Sequence, residues 1–135
     1  MKTGLAALSL LVLLAACGRE PPVPYVRLIT GEAPEGPVRV TIFATDQAEI
    51  GVGTRKGVRA LPEGSYARAR ALVERDFPRI FSRQAALREA RDCPDVGEAT
   101  VQAQPAASGI AAVGWSCGED GVLALVEELR AIVPR

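Results

Sequence analysis

The most regular signal in the chain lies between Val122 and Val133. Val122, Leu125, Val126, Leu129, Ile132 and Val133 recur at intervals of three and four, with Glu127, Glu128 and Arg130 between them. On a helix, this spacing gathers the apolar side chains into one stripe and sends the charges to the other side. A short one-sided helix is marginal in water, so the rest of the chain has to offer an apolar surface for it to lie on. Glu119 and Asp120 stand just before the stripe. There they suit the positive end of the helix dipole and can cap its first amides, so they read as caps rather than as a catalytic pair.

The surface is supplied by segments of a different period. Val38, Val40, Ile42 and Ala44 alternate with Arg39, Thr41 and Phe43, as in a strand covered on one side. Residues 25–30 are β-branched and aromatic, and the glycines and prolines of 31–37 turn the chain between these two runs. Thr45-Asp46-Gln47 turns it again, residues 48–52 return antiparallel, and 51–57 read as a mobile turn after an edge strand. Further on, 98–104 alternate small apolar with polar residues, 105–109 turn, and 110–117 complete a hairpin.

Between the two groups of strands, Ser65 is the expected cap of a helix with Tyr66, Ala69, Leu72 and Val73 at helical spacing. Pro78 disfavours helical geometry at Phe77, so that helix is expected to stop there. A second one spans 82–91, with Ser82 as its cap, Ala86, Leu87 and Ala90 facing inward, and Cys93-Pro94 ending it. The order strands, helix, strands, helix predicts an α+β fold: a small antiparallel sheet built from two hairpins or meanders, with two to three helices on one face.

The amino-terminal residues carry a different kind of information. Lys2 provides a positive start, residues 5–14 an apolar run, and Ala15-Ala16 the small residues of a cleavage site, the pattern of a secretory signal peptide. The apolar run is shorter than the roughly 20 residues that a membrane-spanning helix needs. Leu14-Ala15-Ala16-Cys17 resembles the lipobox of bacterial lipoproteins. The resemblance implies a diacylglyceryl thioether on Cys17, cleavage before it and acylation of the new amino terminus, so that membrane lipid is the first partner of the chain. Several acyl chains on one residue hold stably, where a single chain is marginal. Gly18 rather than an aspartate follows Cys17, which by the rule of that family favours the outer membrane, facing the periplasm, over the inner one. The chain then divides into a cleaved signal peptide at 1–16, a lipidated cysteine with a proline-rich tether at 17–24, and one domain at 25–135. A tether near polyproline II reaches only about 20 Å, which suits work at the membrane surface.

Composition excludes more than it selects. The chain has 16 basic and 16 acidic residues, so net charge gives no general attraction to nucleic acid. It has no histidine, which removes the usual triads and the commonest transition-metal ligand. With Cys17 lipidated, Cys93 and Cys117 remain, and two thiols in an oxidising compartment pair most often. Their bond closes a loop for which the chain-entropy argument gives about 3.5 kcal/mol. Neither a C-x-x-C redox motif nor a metal-ligand set is present, and no cofactor is expected. Gly51-Val52-Gly53-Thr54-Arg55-Lys56-Gly57 invites comparison with a phosphate loop, but no Ser or Thr follows the lysine where the motif needs one. Lys56 could in principle form a dyad with Ser65, Ser82, Ser108 or Ser116. Nothing in the spacing selects a partner.

Charge is uneven along the chain. Ten basic residues fall between Arg55 and Arg91, whereas the stretch from Asp92 to Glu128 has seven acidic residues and no basic one. Arg55, Lys56, Arg59, Arg68, Arg75 and Arg79 are the candidate binding face; alternatively the two segments lie together and neutralise one another. The expected function is a non-catalytic binding module, held at the membrane surface and engaging an envelope protein or polymer. A second expectation comes from likeness. Leu61-Pro62-Glu63 leading to Ala71-Leu72-Val73, then a hairpin and a terminal helix with Leu125-Val126 and Leu129, resembles the order of elements in emfourin-type inhibitors of thermolysin-like metalloproteases. The likeness spans roughly residues 38–133. The helix at 82–91 and the two cysteines depart from it, and no inhibitory residue carries over. An enzymatic reading has no motif behind it.

Overall fold

Six segments pair into one antiparallel sheet, β1 (Tyr25–Ala33), β2 (Gly36–Phe43), β3 (Gln47–Val52), β4 (Arg55–Ala60), β5 (Ala99–Ala107) and β6 (Ile110–Gly114), in the order β4-β3-β2-β1-β5-β6. Two helices, α1 (Ser65–Ala90) and α2 (Gly121–Arg130), lie on one face. This α+β arrangement comes from a computed structural model that describes residues 21–33, 36–90, 92–93 and 99–134. The signal segment, Cys17, the start of the tether, Pro94 and Glu98 lie outside the described residues.

Register decides which side chains meet the helices. Leu28 pairs with Val40 on one side and Val101 on the other, and Val26 with Ile42 and Ala103. All six are buried, together with Ala48 and Val113. The alternate positions, Tyr25, Arg27, Arg39, Thr41, Glu49 and Gln102, share the opposite face. There the Arg27 guanidinium lies 4.4 Å from the centre of the Tyr25 ring, and its Nε donates to Thr41 Oγ1 at 3.0 Å.

The first four strands step outward from β1. The chain then recrosses the sheet to lay β5 along the other side of β1. Six strands at about 4.8 Å spacing are some 24 Å wide, and the 26 residues of α1 extend about 39 Å, enough to cross them obliquely. The helix starts at the β2–β3 turn, where Asp46 accepts the backbone N–H groups of Gly64 (2.9 Å) and Tyr66 (2.8 Å). Near its far end, Gln84 Nε2 donates to the Gly114 carbonyl of β6 at 2.6 Å.

Several local expectations are corrected here. α1 does not stop at Phe77 but runs through Pro78, and Ser82 is an exposed residue inside it rather than a cap. An internal proline costs about 3 kcal/mol. Phe77 and Ile80, fully buried on either side of it, contribute about 1.5–3 kcal/mol each, which outweighs that cost. Ser65 does not cap either: its Oγ donates back to the Pro62 carbonyl at 2.6 Å, and Asp46 does the capping. Residues 51–57 are a hairpin, not a mobile turn. Val52 pairs with Arg55 across Gly53-Thr54. Gly53 has φ 57°, the left-handed value that a type II′ turn places on a glycine at its first central position. The edge strand is therefore β4, with β3 inside the sheet. β5 continues through Pro105 to Ala107, so its turn shrinks to Ser108-Gly109, and β6 ends at Gly114.

In α2, Val122, Leu125 and Leu129 are fully buried and Val126 nearly so, while Ile132 and Val133 extend the stripe past the end of the helix. The expected caps are not made. Asp120 stands at the N-cap without a side-chain capping bond. Glu119 is 2 % exposed, and neither carboxylate oxygen has a hydrogen-bond partner among the described residues. Arg83 Nε lies 3.8 Å from its Oε1. Gly121 makes room for it, since a Cβ there would stand 2.6 Å from Glu119 Oε1. The Cys93–Cys117 disulfide is present, with Cα atoms 4.7 Å apart, and joins the end of α1 to the approach to α2.

Candidate functional site

The six cationic residues expected on one face fall into three settings. Arg55, Lys56 and Arg59 lie on the edge strand β4, where alternation separates them. Arg59 pairs with Ala48 and so faces the helix side, whereas Lys56, opposite Gly51, faces the open side and sits 3.5 Å from Glu49 Oε1. Arg55, opposite Val52, shares the side of Arg59.

Arg68 belongs to the start of α1. Its Nη2 donates to Ser65 Oγ at 3.1 Å, and its charge adds to the field at Asp46. The N–H groups of Tyr66 and then Gly64 are the larger reasons why the Asp46 carboxyl is held below its ordinary value.

Arg75 and Arg79 serve a carboxylate inside the fold. Asp76 is 1 % exposed. Arg75 donates to both its oxygens at 2.8 Å, and Arg79 donates to Oδ1 at 2.9 Å. The Arg75 hydrogen bonds are the main cause of a lowered Asp76 carboxyl, outweighing the effect of burial. Arg75 also reaches Glu128 of α2 at 2.8 Å. With Arg83–Glu119, this pair links the basic segment to the acidic one, the mutual neutralisation that the charge pattern allowed. Helix continuity thus puts Arg68, Arg75 and Arg79 on one element, yet two of the three are committed to Asp76.

Beside Arg59 the structure opens a feature with no counterpart in the sequence reading. Between the end of α2 and strands β2–β4 lies a cleft of about 640 Å³, within the range of about 300–1,000 Å³ usual for small-ligand sites. Val40 and Ile50, directly paired, form its floor, and Val133 and Pro134 form a wall. Arg130 is fixed on the rim, its Nη1 donating to Glu127 Oε1 at 3.0 Å and its Nη2 to Thr30 Oγ1 at 2.7 Å. Arg59 reaches across from β4 to the Pro134 carbonyl. Two guanidinium groups and one carboxylate therefore surround an apolar floor. Arg130 escaped the sequence reading because an arginine in the last turn of a helix ordinarily serves the dipole.

Among the described residues no three histidine, cysteine or acidic side chains converge as a metal site would require, and no helix is long and apolar enough to cross a membrane. Comparison of the chain with protein-family models, with curated proteins and with solved structures finds no match in any of the three.

Proposed function

We propose that this protein is a lipid-anchored cell-envelope module that binds without catalysis at a membrane surface, and that the cleft beside Arg59 is its binding site. The observation that carries the reading is the pairing of an apolar floor with a cationic rim on an otherwise well-packed domain. Such a site retains an amphiphilic or anionic partner; among the described residues its lining holds no cysteine, serine or histidine that could act as a nucleophile or transfer a proton near neutrality. The anchor comes from the Leu14-Ala15-Ala16-Cys17 pattern. Acylated Cys17 would stand eight residues before the first residue of β1, so the tether keeps the domain near the lipid, on the outer membrane by the Gly18 rule.

The test has two arms. Changing Cys17 to Ser removes the thiol that lipid transfer needs, so palmitate labelling should disappear and the protein should leave the membrane fraction; labelling equal to wild type defeats the anchor. Capture of envelope material by the membrane-bound protein, lost on Arg59→Ala, supports the binding site. The alternative reading is an inhibitor of a secreted metalloprotease. Its support is the element order on which the emfourin likeness rests, together with the merging of residues 82–90 into α1, which removes one of the two departures. Inhibition of a thermolysin-like protease by the purified protein at equimolar ratio would favour that reading over the first.

A further inference from the structure

We propose that the cleft takes a single-chain amphiphilic carboxylate, a free fatty acid of medium length, with its head group on Arg59 and its hydrocarbon over Val40 and Ile50. The inference rests on the cleft being the binding site and not on the lipid anchor.

The shape of the floor sets the class of the body. Val40 and Ile50 are directly opposed on neighbouring strands, a distance of about 5 Å, so the floor is a narrow apolar strip and not a broad patch. α2 ends at Arg130, and the chain beyond it only walls one side, which leaves this part of the sheet without a helix over it. A narrow strip with one wall accommodates one hydrocarbon chain lying flat.

The rim sets the class of the head. Glu127 is already matched by Arg130, whose two terminal nitrogens are both engaged. Arg59 differs: the acceptor it holds across the cleft is the neutral carbonyl of Pro134. A carboxylate accepts a charge-assisted hydrogen bond roughly twice as strong as a neutral one, and its two oxygens can accept from two N–H groups of a planar guanidinium at once. Exchanging the carbonyl for a carboxylate is therefore favourable, and it opens the contact that spans the cleft. An ammonium head would face two guanidinium groups with one carboxylate already spoken for.

Lys56 is a control built into the same strand. It carries the same charge three residues from Arg59 but points to the opposite face of the sheet. Any effect of net charge alone appears equally in both.

The experiment titrates hexanoate, octanoate and decanoate into the purified full chain, in phosphatidylcholine nanodiscs where it is membrane-bound and in buffer where it is not, followed by calorimetry against empty discs or buffer. Saturable binding of one molecule per chain is expected, tightening by up to about fourfold per methylene while the strip is being filled. Decylamine should not bind. Arg59→Ala should weaken decanoate at least tenfold, Arg59→Lys should weaken it by less, because the charge stays while the two-pronged contact is lost, and Lys56→Ala should leave it unchanged. Ala131→Trp, which fills the cleft from its exposed wall with Arg59 in place, should block binding. Equal losses with Lys56→Ala and Arg59→Ala, or decylamine binding as well as decanoate, would overturn the proposal. So would the absence of saturable binding above the empty discs or buffer; if Arg59→Ala still abolished capture of envelope material, the cleft would remain the binding site for something other than a fatty acid, and if it did not, both readings would fall.

Discussion

The two helices are held in place by different physics. α2 is ten residues long, and its four buried side chains are all apolar and lie on one stripe. α1 is 26 residues long, contains a proline, and buries Ser65, Asp76 and Gln84 beside Ala69, Val73, Phe77 and Ile80. It is fixed at three places by polar contacts: Asp46 receives its first amides, Arg75 beside Asp76 ties its middle to Glu128 of α2, and Gln84 reaches β6. A short helix can be specified by its own pattern, because burial of one stripe is all it needs. A helix that runs from the β2–β3 turn to β6 meets several neighbours in turn and takes its limits from them.

The sharpest way to break this contrast is in α2. Leu129→Ala should cost about 2–5 kcal/mol through lost burial and the cavity left behind, while Glu127→Ala, on the solvent side, should change stability by no more than about 0.5 kcal/mol. Equal urea midpoints for these two variants would mean that the stripe is not what seats the helix. Removing the covalent link between the helices is expected to rank close behind. Loss of the Cys93–Cys117 bond should cost about 2–5 kcal/mol, as for native bridges in small domains. Thiol titration of the denatured, unreduced protein checks the bond itself, since two reactive groups besides Cys17 would refute it.

The α1 arm of the comparison predicts a pH signature. Asp76→Asn should destabilise by about 1.5–3 kcal/mol at neutral pH, the usual worth of hydrogen bonds to a charged group. Because the folded carboxyl is lowered from 3.8, its contribution is fully present above that value and is lost as pH falls through the folded pKa below it. Wild type should therefore lose stability more steeply than the Asn variant as pH drops below 3.8. Asp46 is lowered as well, by the amides of Tyr66 and Gly64, and leaves a residual slope of the same sign in that variant. Identical acid melts would show that the cluster contributes nothing to stability. A change of opposite sign is expected at Pro78. Alanine there should stabilise by about 2–2.5 kcal/mol, the helix cost of an internal proline less the unfolded-state entropy that proline removes. Destabilisation instead would mean that tertiary contacts of the ring, and not those of Phe77 and Ile80, hold α1 across this point.

The arginines show how far a charge pattern can be read. Spacing placed Arg68, Arg75 and Arg79 at offsets of seven and four, so one continuous helix aligns them, and the helix is continuous. Nothing in the spacing says that Asp76 is buried between them, because an aspartate next to an arginine usually means a solvated pair. On β4 the alternation of Lys56 and Arg59 becomes legible only when 51–57 is recognised as a hairpin. A glycine-rich stretch with two cations reads equally well as a loop, and pairing with β3 decides the matter.

From the sequence alone come the α+β class, the alternating strands of the meander and the second hairpin, the buried stripe of α2, and the pairing of Cys93 with Cys117. These depend on periods of two and three to four residues, or on a count of thiols, and such quantities are local. Tertiary structure decided the continuity of α1 through Pro78, its cap from Asp46, the burial of Asp76 and Glu119, and the meeting of Arg59 with Arg130 around a cleft. Each of these joins residues far apart in the chain, or sets a local penalty against burial elsewhere. No local pattern can carry them, because the energy that settles them belongs to the partner.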